Sequence, residues 1–261
     1  MKLKGHHAVV TGGGTGIGAA IARALAREGA KLTLVGRRRD TLEEVAASCS
    51  PAKAGAPHGS GYRPSPGHRV APADITVRPE VDRAFALARE GQGPITILIN
   101  NAGAAAGVAF AKVTAEIWRD MLAVNLDGMF HCCQSALPDL LAAPAGRIVT
   151  IASMAGLRGF AYASPYIAAK HGAVGLTRAL AAEYAHKALR VNAVCPGFVD
   201  TEMTVQSVSN IKAKTGRSED DARAELARLN PSGRLITPEE VASAVLDLVL
   251  SERNGEAVEI A

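Results

Sequence analysis

Short apolar runs alternate with longer stretches of helix-forming residues along most of the chain. The apolar runs cover residues 8–10, 32–35, 95–99, 147–151, 191–194 and 257–260. The helix-forming stretches cover residues 17–28, 41–49, 81–89, 115–137, 166–185 and 237–250. This alternation predicts repeated βαβ units and therefore an α/β fold built on a parallel sheet. Because the short runs are uniformly apolar, we expect helices to cover both faces of the sheet.

Two segments interrupt this alternation. Residues 50–68 are rich in proline, glycine and alanine. Such a composition buries too little apolar surface to offset the entropy of ordering, so we expect a mobile surface loop there. Residues 200–233 are polar and helix-forming, and they follow the end of a strand, where open α/β sheets bind their ligands. We predict that this second segment is a lid over the substrate.

Composition narrows the class of protein. A chain of 261 residues with 48% hydrophobic content can bury a substantial core, and we expect one domain over residues 1–261. The net charge of +4 is spread along the chain, which argues against nucleic acid as a partner. The cysteines form no C-x-x-C pair, and neither a signal-peptide core nor a membrane-length apolar run occurs. We therefore expect a soluble cytoplasmic protein without a membrane partner, and the histidine spacing predicts no metal site.

The first apolar run leads into a glycine-rich turn and then into an alanine-rich helix. A backbone that reverses from strand to helix uses positive φ angles, and a pyrophosphate at a helix N-terminus leaves no room for a Cβ atom. The turn matches G-x-G-x-x-A from Gly14, and it matches T-G-x-x-x-G-x-G from Thr11 better. It therefore predicts a nucleotide-binding site, with a ligand-free tight turn as the alternative. The expected contacts are Thr11, Gly12, Gly14, Thr15, Gly16, Ile17 and Gly18.

Three consecutive arginines, Arg37, Arg38 and Arg39, follow the second apolar run. A site that prefers NAD carries Asp or Glu about twenty residues after the glycines, where the carboxylate binds the ribose 2′-OH. Guanidinium groups at this point bind a 2′-phosphate through forked, charge-assisted hydrogen bonds. The sequence therefore favours NADP(H), with Arg37 and Arg38 as contacts. NAD(H) stays possible if the arginines are only a solvated charge run and Asp40 is an N-cap or the ribose contact.

Tyr166 and Lys170 are four residues apart on a predicted helix, with Ser164 as the expected N-cap and Pro165 as the first helical residue. This spacing puts the two side chains on one face of the helix. A free phenol has a pKa of about 10, and a nearby ammonium and the positive end of the helix both favour the phenolate. We therefore expect Lys170 to tune Tyr166 as a general acid and base. The alternative is a surface pair without a catalytic role.

Two further polar residues can join this pair. Ser153 follows the run 147–151, so we expect its hydroxyl at the carboxyl edge of the sheet, where it can bind a substrate carbonyl oxygen. A turn or capping serine is the alternative. Asn125 lies within the long predicted helix 115–137, where it can hold a water or bend the helix, and simple surface exposure is the alternative.

Together these motifs resemble those of the short-chain dehydrogenase/reductase family. The match runs through nearly the whole chain, and its residues are Thr11-Gly12, Gly16-Ile17-Gly18, Asn100-Asn101-Ala102-Gly103, Asn125, Ser153, Tyr166, Lys170 and Pro196-Gly197. The resemblance implies a single-domain, Rossmann-like, doubly wound parallel sheet of about seven strands with helices on both faces. It also implies a homotetramer or homodimer. Family members commonly carry a Gly-Gly pair after the last strand, whereas Ala261 follows Ile260 here.

The resemblance also implies residue roles. Asn125, Ser153, Tyr166 and Lys170 would form a catalytic tetrad, and both Tyr166 and Lys170 would contact the cofactor, Lys170 at the nicotinamide ribose. The other implied cofactor contacts are Asp74 and Ile75 at the adenine, Asn101, Ala102 and Gly103 on the adenosine side, and Pro196, Gly197, Val199 and Thr201 toward the carboxamide.

The predicted function is that of a nicotinamide-dependent oxidoreductase acting on a carbonyl or a secondary alcohol. Similarity to bacterial members and the arginine turn favour reduction of a 3-oxoacyl thioester or another ketone. Lys212, Lys214 and Arg217 in the predicted lid either meet a carrier phosphate or form a solvated helix face. The main alternative is a secondary-alcohol, steroid or sugar dehydrogenase that works in the oxidative direction. A cofactor-binding sensor without catalysis is a remote alternative.

Overall fold

The computed structural model describes residues 1–49 and 67–261, and within them seven strands form one sheet. The strands are β1 (His7–Thr11), β2 (Lys31–Gly36), β3 (His68–Pro72), β4 (Ile97–Asn100), β5 (Gly146–Ile151), β6 (Leu189–Pro196) and β7 (Ala257–Ile260). The α-helices in this part of the chain are α1 (Gly16–Arg27), α2 (Arg39–Ser48), α3 (Arg78–Gln92), α4 (Ala115–Leu122), α5 (Gly128–Ala142), α6 (Ser164–Glu183), α7 (Glu202–Thr215), α8 (Glu219–Arg228) and α9 (Pro238–Leu250).

The strand order explains where a ligand can bind. The order across the sheet is β3-β2-β1-β4-β5-β6-β7, and all neighbouring strands run parallel. The direction in which successive strands are added reverses at β1, which pairs with both β2 and β4. Such a reversal opens a crevice at the carboxyl ends of the strands. The predicted Rossmann-like, doubly wound parallel sheet is confirmed.

Helices cover both faces of the sheet, as the uniformly apolar strands predict. Neighbouring residues of β1 illustrate the division, because side chains alternate between the faces of a strand. Val10 packs in an apolar cluster with Leu25 of α1 and with residues of α9. Val9 packs in a second cluster with Phe85 of α3 and with residues of α5 and α6. The apolar residues of β1 are therefore buried on both faces, which fixes the carboxyl edge of the sheet as a rigid base for the site.

Two element predictions need correction. The apolar pattern did not reveal β3, because its sequence, His68 to Pro72, mixes polar and apolar residues and follows the Pro/Gly-rich segment. The helix predicted for 115–137 is interrupted by a π-helical turn, Ala123–Asp127, and continues beyond its predicted end to Ala142. A hydrophobic period does not distinguish a continuous helix from one with a single widened turn.

Of the two predicted helix caps, one is confirmed and one is wrong. Thr237 caps α9 through a capping box with Glu240, and Pro238 is the first helical residue, as predicted. Ser164 is not the N-cap of α6. Ala163 holds that position, and Ser164 is the first residue of the helix, its buried hydroxyl making no hydrogen bond within the described residues. The side chain of Ser164 therefore does not cap the N-terminus of α6.

Other predictions concern segments and features outside the sheet. Residues 50–66 of the predicted mobile loop lie outside the described residues, whereas His68 begins β3. Residues 200–233 hold α7 and α8, and the role of this segment as a lid stays a prediction. Within the described ranges, the helices are too short or too polar to cross a membrane. The same ranges contain no group of three His, Cys, Asp or Glu side chains that could hold a metal ion.

Candidate active site

The predicted site residues gather at the carboxyl edge of the sheet. Thr11 ends β1, Asn101 follows β4, Ser153 follows β5, and the Pro196-Gly197 turn ends β6. Because all these strands are parallel, their carboxyl ends lie on the same side of the molecule. Tyr166 and Lys170 come to this edge from the first turns of α6.

The glycine-rich turn between β1 and α1 fits a pyrophosphate group. Gly12 and Gly16 have φ angles of +63° and +49°, which glycine adopts without strain. A Cβ atom on Gly18 would overlap the carbonyl oxygen of Gly12, so the first turn of α1 packs directly on the loop. Thr15 precedes the helix without capping it through its side chain, which leaves the first amide groups without a side-chain acceptor. Such a helix N-terminus attracts an anion.

Gly14 has a different reason for being glycine. Its φ angle is not positive, and a Cβ atom there would come within 2.6 Å of the Thr41 hydroxyl of α2. Gly14 therefore lets α2 approach the turn. Ile17, the second residue of α1, is half-buried and packs against the apolar cluster that contains Val10 and Leu25. The roles predicted for both residues as cofactor contacts stay predictions.

Asn101 and Thr11 hold the two strand ends together. The Asn101 side-chain amide donates to the carbonyl oxygens of Thr11 and Gly12 at 3.0 and 3.1 Å. In return, the Thr11 hydroxyl oxygen accepts the backbone N–H groups of Asn101 and Ala102 at 3.0 and 3.1 Å. These bonds fix the shape of the glycine-rich turn, because Gly12 is one of its residues with a positive φ angle. The two side chains therefore act on the predicted nucleotide site through the backbone.

The arginine turn stands at the ends of β2 and β3. Arg37 and Arg38 are exposed, and Arg38 lies 3.6 Å from the Glu202 carboxylate of α7. Burial alone raises the pKa of Asp74, but hydrogen bonds from Thr76 and the Arg37 charge outweigh it and hold that pKa below its ordinary value. The Asp74 carboxylate is thus charged and oriented beside Arg37. This corner of the crevice offers both cations and a fixed carboxylate.

Ile75 is buried beside α5. A Cβ atom on Gly128 would come within 2.5 Å of the Ile75 side chain, so the helix needs glycine there to let Ile75 pack. The Ile75 carbonyl oxygen is hydrogen-bonded to the His131 ring at 3.0 Å. Its predicted contact with the adenine stays a prediction.

Ser153, Tyr166 and Lys170 lie together in the crevice. The Ser153 hydroxyl accepts the backbone N–H of Ala155 at 3.1 Å, and it lies close enough to the Tyr166 phenol to lower the pKa of that group. The Lys170 side chain is buried, and its Nζ donates to the Ile151 carbonyl oxygen at 3.0 Å while lying 5.7 Å from the centroid of the Tyr166 ring. Ser153 thus contacts the phenol directly, whereas Lys170 stands beside its ring.

The two titratable groups of α6 are shifted in opposite directions. Burial lowers the pKa of Lys170 to about 8, although the neighbouring Cys195 thiol opposes this change. Burial raises the pKa of Tyr166 above its ordinary value, and the hydrogen bond with Ser153 offsets only part of the rise. The lowering of the Tyr166 pKa by Lys170 that the sequence predicts is not seen, because burial raises this pKa and Lys170 makes no resolved contribution to it. Tyr166 therefore keeps its proton at neutral pH.

Asn125 is buried in the π-helical turn, which rules out simple surface exposure. Its side-chain amide donates to the carbonyl oxygens of Met121 and Ala104 at 3.0 and 2.9 Å, and its Oδ1 accepts the Ala104 N–H at 3.3 Å. A Cβ atom on Gly103 would lie 2.8 Å from Asn125 Oδ1 and 3.6 Å from Lys170 Nζ. Gly103 therefore lets Asn125 and Lys170 approach each other, which links the π-helical turn to the pair of Tyr166 and Lys170.

Comparisons with known proteins decide the family. The family model described as short chain dehydrogenase matches residues 6–212. The chain belongs to this family. A putative ketoacyl reductase from Streptomyces coelicolor is 35% identical over 93% of this chain and 89% of its own. The 2-(S)-hydroxypropyl-CoM dehydrogenase 3 of Xanthobacter autotrophicus is 37% identical over 95% of this chain and 91% of its own.

A solved structure agrees with the sequence relatives. A variant of actinorhodin polyketide ketoreductase, crystallised with NADPH, matches this short-chain dehydrogenase with a TM-score of 0.88. The two chains are 33% identical, and the match covers 98% of this chain and 95% of the other. The protein is therefore an oxidoreductase that acts on carbonyl and alcohol groups.

Two residues near the crevice of this short-chain dehydrogenase were not predicted from the sequence. Tyr162 has a φ angle of +64°, which is strained for an aromatic residue, and its carbonyl oxygen accepts the Val108 N–H at 2.7 Å. This bond joins the loops that follow β4 and β5. Asn230 is buried against the Gly197 turn after β6. Sequence patterns reveal neither residue, because each contact joins positions far apart in the chain.

Two cations of the predicted lid, Lys212 and Arg217, pair with carboxylates of the lid itself. Lys212 pairs with Glu219 at 2.8 Å, and Arg217 pairs with Glu225. Both pairs join α7, or the turn after it, to α8. The side chain of Lys214 lies outside the described residues. Lys212 and Arg217 therefore fit the solvated helix face better than a carrier phosphate.

Proposed function

We propose that this enzyme reduces a 3-oxoacyl thioester or a similar ketone with NADPH, using Asn125, Ser153, Tyr166 and Lys170. The observation that carries the proposal is that Ser153 and Tyr166 lie together beside the buried Lys170, whose Nζ is 5.7 Å from the centroid of the Tyr166 ring. One hydroxyl comes from the end of β5 and the other from the start of α6, so two donors converge on one point of the crevice. Two converging donors are what a carbonyl oxygen needs as negative charge grows on it.

The cofactor, when bound, supplies the hydride that the carbonyl carbon accepts. The hydroxyls of Ser153 and Tyr166 donate to the carbonyl oxygen and stabilise its developing charge. The Tyr166 hydroxyl then transfers its proton to that oxygen, which completes a secondary alcohol. The Lys170 ammonium, held in place by the Ile151 carbonyl, stabilises the phenolate that remains. Asn125 holds the backbone of Ala104 and so keeps the neighbouring loop in place beside Lys170.

The protonation state of Tyr166 supports the reductive direction. Burial raises the pKa of Tyr166, so the phenol carries a proton at neutral pH and is ready to donate it. Oxidation of an alcohol needs the phenolate as a base, and the same burial disfavours that form. A protonated Tyr166 can act as an acid, which a reductase requires.

The preference for NADPH is supported by charge at the arginine turn. Arg37 and Arg38 are exposed cations at the end of β2, and a 2′-phosphate is the feature of NADPH that guanidinium groups recognise. Asp40, the alternative ribose contact, lies in the first turn of α2, and Arg38 rather than Asp40 is the N-cap of that helix. The ketoreductase of known structure that this chain resembles was crystallised with NADPH.

The main alternative is a dehydrogenase that oxidises a secondary alcohol. The observation that favours it is the similarity to 2-(S)-hydroxypropyl-CoM dehydrogenase 3, which is as close in sequence as the ketoacyl reductase. The same four residues serve both directions, because each proton transfer is reversible. The alternative therefore differs in the substrate and in the protonation state in which Tyr166 reacts.

The deciding experiment is a panel of ketones and alcohols assayed with NADPH, NADH, NADP and NAD. We expect the highest kcat/KM with acetoacetyl-CoA and NADPH, and a lower kcat as well as a weaker affinity when the carrier is removed, because binding of the remote part supports the reacting part. Faster oxidation of a small secondary alcohol with NAD would support the alternative. Cofactor binding without turnover on any member of the panel would point to the sensor.

A further inference from the structure

The Asn230 side chain is a buried clamp on the backbone after β6. Asn230 follows α8 and is only 2% exposed. Its Oδ1 accepts the backbone N–H of Phe198 at 2.8 Å, and its Nδ2 donates to the Phe198 carbonyl oxygen at 2.9 Å. The same Nδ2 also donates to the Arg234 carbonyl oxygen at 2.6 Å. One side-chain amide thus occupies both backbone groups of Phe198, as a neighbouring strand would.

Gly197 is shaped to receive this amide. A Cβ atom at position 197 would overlap Asn230 Oδ1, and it would also come within 2.9 Å of the Met154 methyl group. The φ angle of Gly197 is not in the positive range, so its backbone conformation does not demand glycine. Contact with the Asn230 side chain is therefore the main reason why this structure needs glycine at position 197.

The clamp holds a segment that reaches across to the glycine-rich turn. Val199 forms a parallel bridge with Ile236, and the N–H of Asp200 donates to the Ile236 carbonyl oxygen at 2.8 Å. Two residues beyond Val199, the Thr201 methyl group lies 3.2 Å from the point where a Cβ atom on Gly16 would stand. The position of this segment therefore sets the width of the crevice above the N-terminus of α1.

We propose that Asn230 is a positioning residue that fixes the segment 197–201 in the shape that binds the nicotinamide cofactor. This inference rests on the proposed function, because it takes Val199 and Thr201 as cofactor contacts. The clamp joins that segment to the loop between α8 and α9, so the end of the predicted lid and the cofactor site move together. A purely structural amide would contribute to stability alone.

Asn254 provides a matched control at the opposite end of β6. Its Oδ1 accepts the Val191 N–H at 2.9 Å, and its Nδ2 donates to the Ala181 carbonyl oxygen at 3.0 Å. Asn254 is thus also a side-chain clamp on β6, but it lies at the amino edge, away from the crevice. Asn254→Ala should lower the melting temperature and leave cofactor binding unchanged.

The first test compares Asn230→Ala with Asn254→Ala by titrating NADPH and following its fluorescence. For Asn230→Ala we expect the Kd for NADPH to rise about tenfold, because the turn loses the groups that hold it. For Asn254→Ala we expect a change in Kd of less than about twofold, at a comparable loss of melting temperature. Equal Kd values for the two variants would show that Asn230 is only structural.

The second test uses Gly197→Ala, which retains Asn230 and forces its amide aside. We expect this substitution to weaken NADPH binding strongly in the wild-type background and much less in the Asn230→Ala background, where no Oδ1 blocks the new methyl group. Additive effects of the two substitutions would overturn the proposal. If Asn230→Ala does not fold well enough for titration, unchanged NADPH binding by Gly197→Ala alone would overturn it. A wild-type protein that binds NADPH but reduces no ketone would contradict the proposed function while leaving this inference testable.

Discussion

Tyr166 and Lys170 share one helix but serve the site from different environments. The phenol is half-buried and bonded to Ser153, whereas the ammonium is buried and bonded to the backbone of β5. Their spacing and their position after a strand were predictable, because a four-residue step puts two side chains on one helical face. The direction of the Tyr166 pKa shift was not predictable, because it depends on burial by residues far away in the chain.

Replacing Tyr166 by Phe should abolish reduction while leaving NADPH affinity close to that of the wild type. The substitution removes the only proton donor proposed for the substrate oxygen and retains the ring that packs beside Lys170. Steady-state kinetics would show kcat lowered at least about a thousandfold, and fluorescence titration would show a nearly unchanged Kd. Tyr184→Phe, at the other end of α6, is the control, and ordinary activity in Tyr166→Phe would refute the assignment.

The buried Lys170 should make stability depend on pH in the alkaline range. Its pKa is about 8 in the folded protein, against an ordinary value of 10.5 for a solvated lysine, so the unfolded chain binds more protons between these values. Stability therefore rises with pH through this window, and the cost of burying the charge, roughly 3 kcal/mol, is fully present below pH 8. Urea unfolding of Lys170→Met should show a gain over the wild type at pH 7 that shrinks toward pH 10. A difference independent of pH would contradict this account.

At the scale of elements, α/β alternation was predictable and the local departures from regular structure were not. The apolar runs predicted six of the strands, because five of them are largely buried on both faces and β7 is half-buried along most of its length. The π-helical turn at Ala123–Asp127 left no periodic signal, although the buried Asn125 amide satisfies the Met121 carbonyl there. A buried polar residue within a helix is a weak hint of such a turn, and only the fold shows which carbonyl it meets.

The turn between β2 and α2 should determine the choice of cofactor. We expect the double variant Arg37→Ala/Arg38→Ala to raise KM for NADPH by about tenfold or more and to leave KM for NADH within about twofold, because only NADPH carries the 2′-phosphate. Arg39→Ala is the matched control, since Arg39 pairs with Glu43 on the surface of α2. A loss with Arg39→Ala as large as that of the double variant would mean that the turn acts only through its overall charge.

At the scale of the whole molecule, the sequence predicts the site better than it predicts how the site is held. Motif residues follow strands, so a parallel sheet brings them to one edge. The hydrogen bonds that hold the surrounding loops, such as those of Asn230 with Phe198 and of Val108 with Tyr162, join parts of the chain that no local pattern connects. The homotetramer or homodimer that the resemblance implies also stays a prediction.

Cofactor binding should therefore stabilise the whole fold, because the predicted cofactor contacts lie at the ends of β1, β2, β4 and β6. At a concentration of one hundred times its Kd, NADPH adds about 2.7 kcal/mol to the free energy of unfolding. For a domain of this size, each kcal/mol raises Tm by roughly 2–4 °C, so thermal unfolding should shift by about 5–10 °C. If NADH binds tenfold more weakly, the same concentration adds only about 1.4 kcal/mol. Equal Tm shifts with both cofactors would argue against recognition of the 2′-phosphate by the arginine turn. A comparison of the Tm shifts with adenosine 2′,5′-bisphosphate and with AMP would test the 2′-phosphate alone, since neither compound carries a nicotinamide.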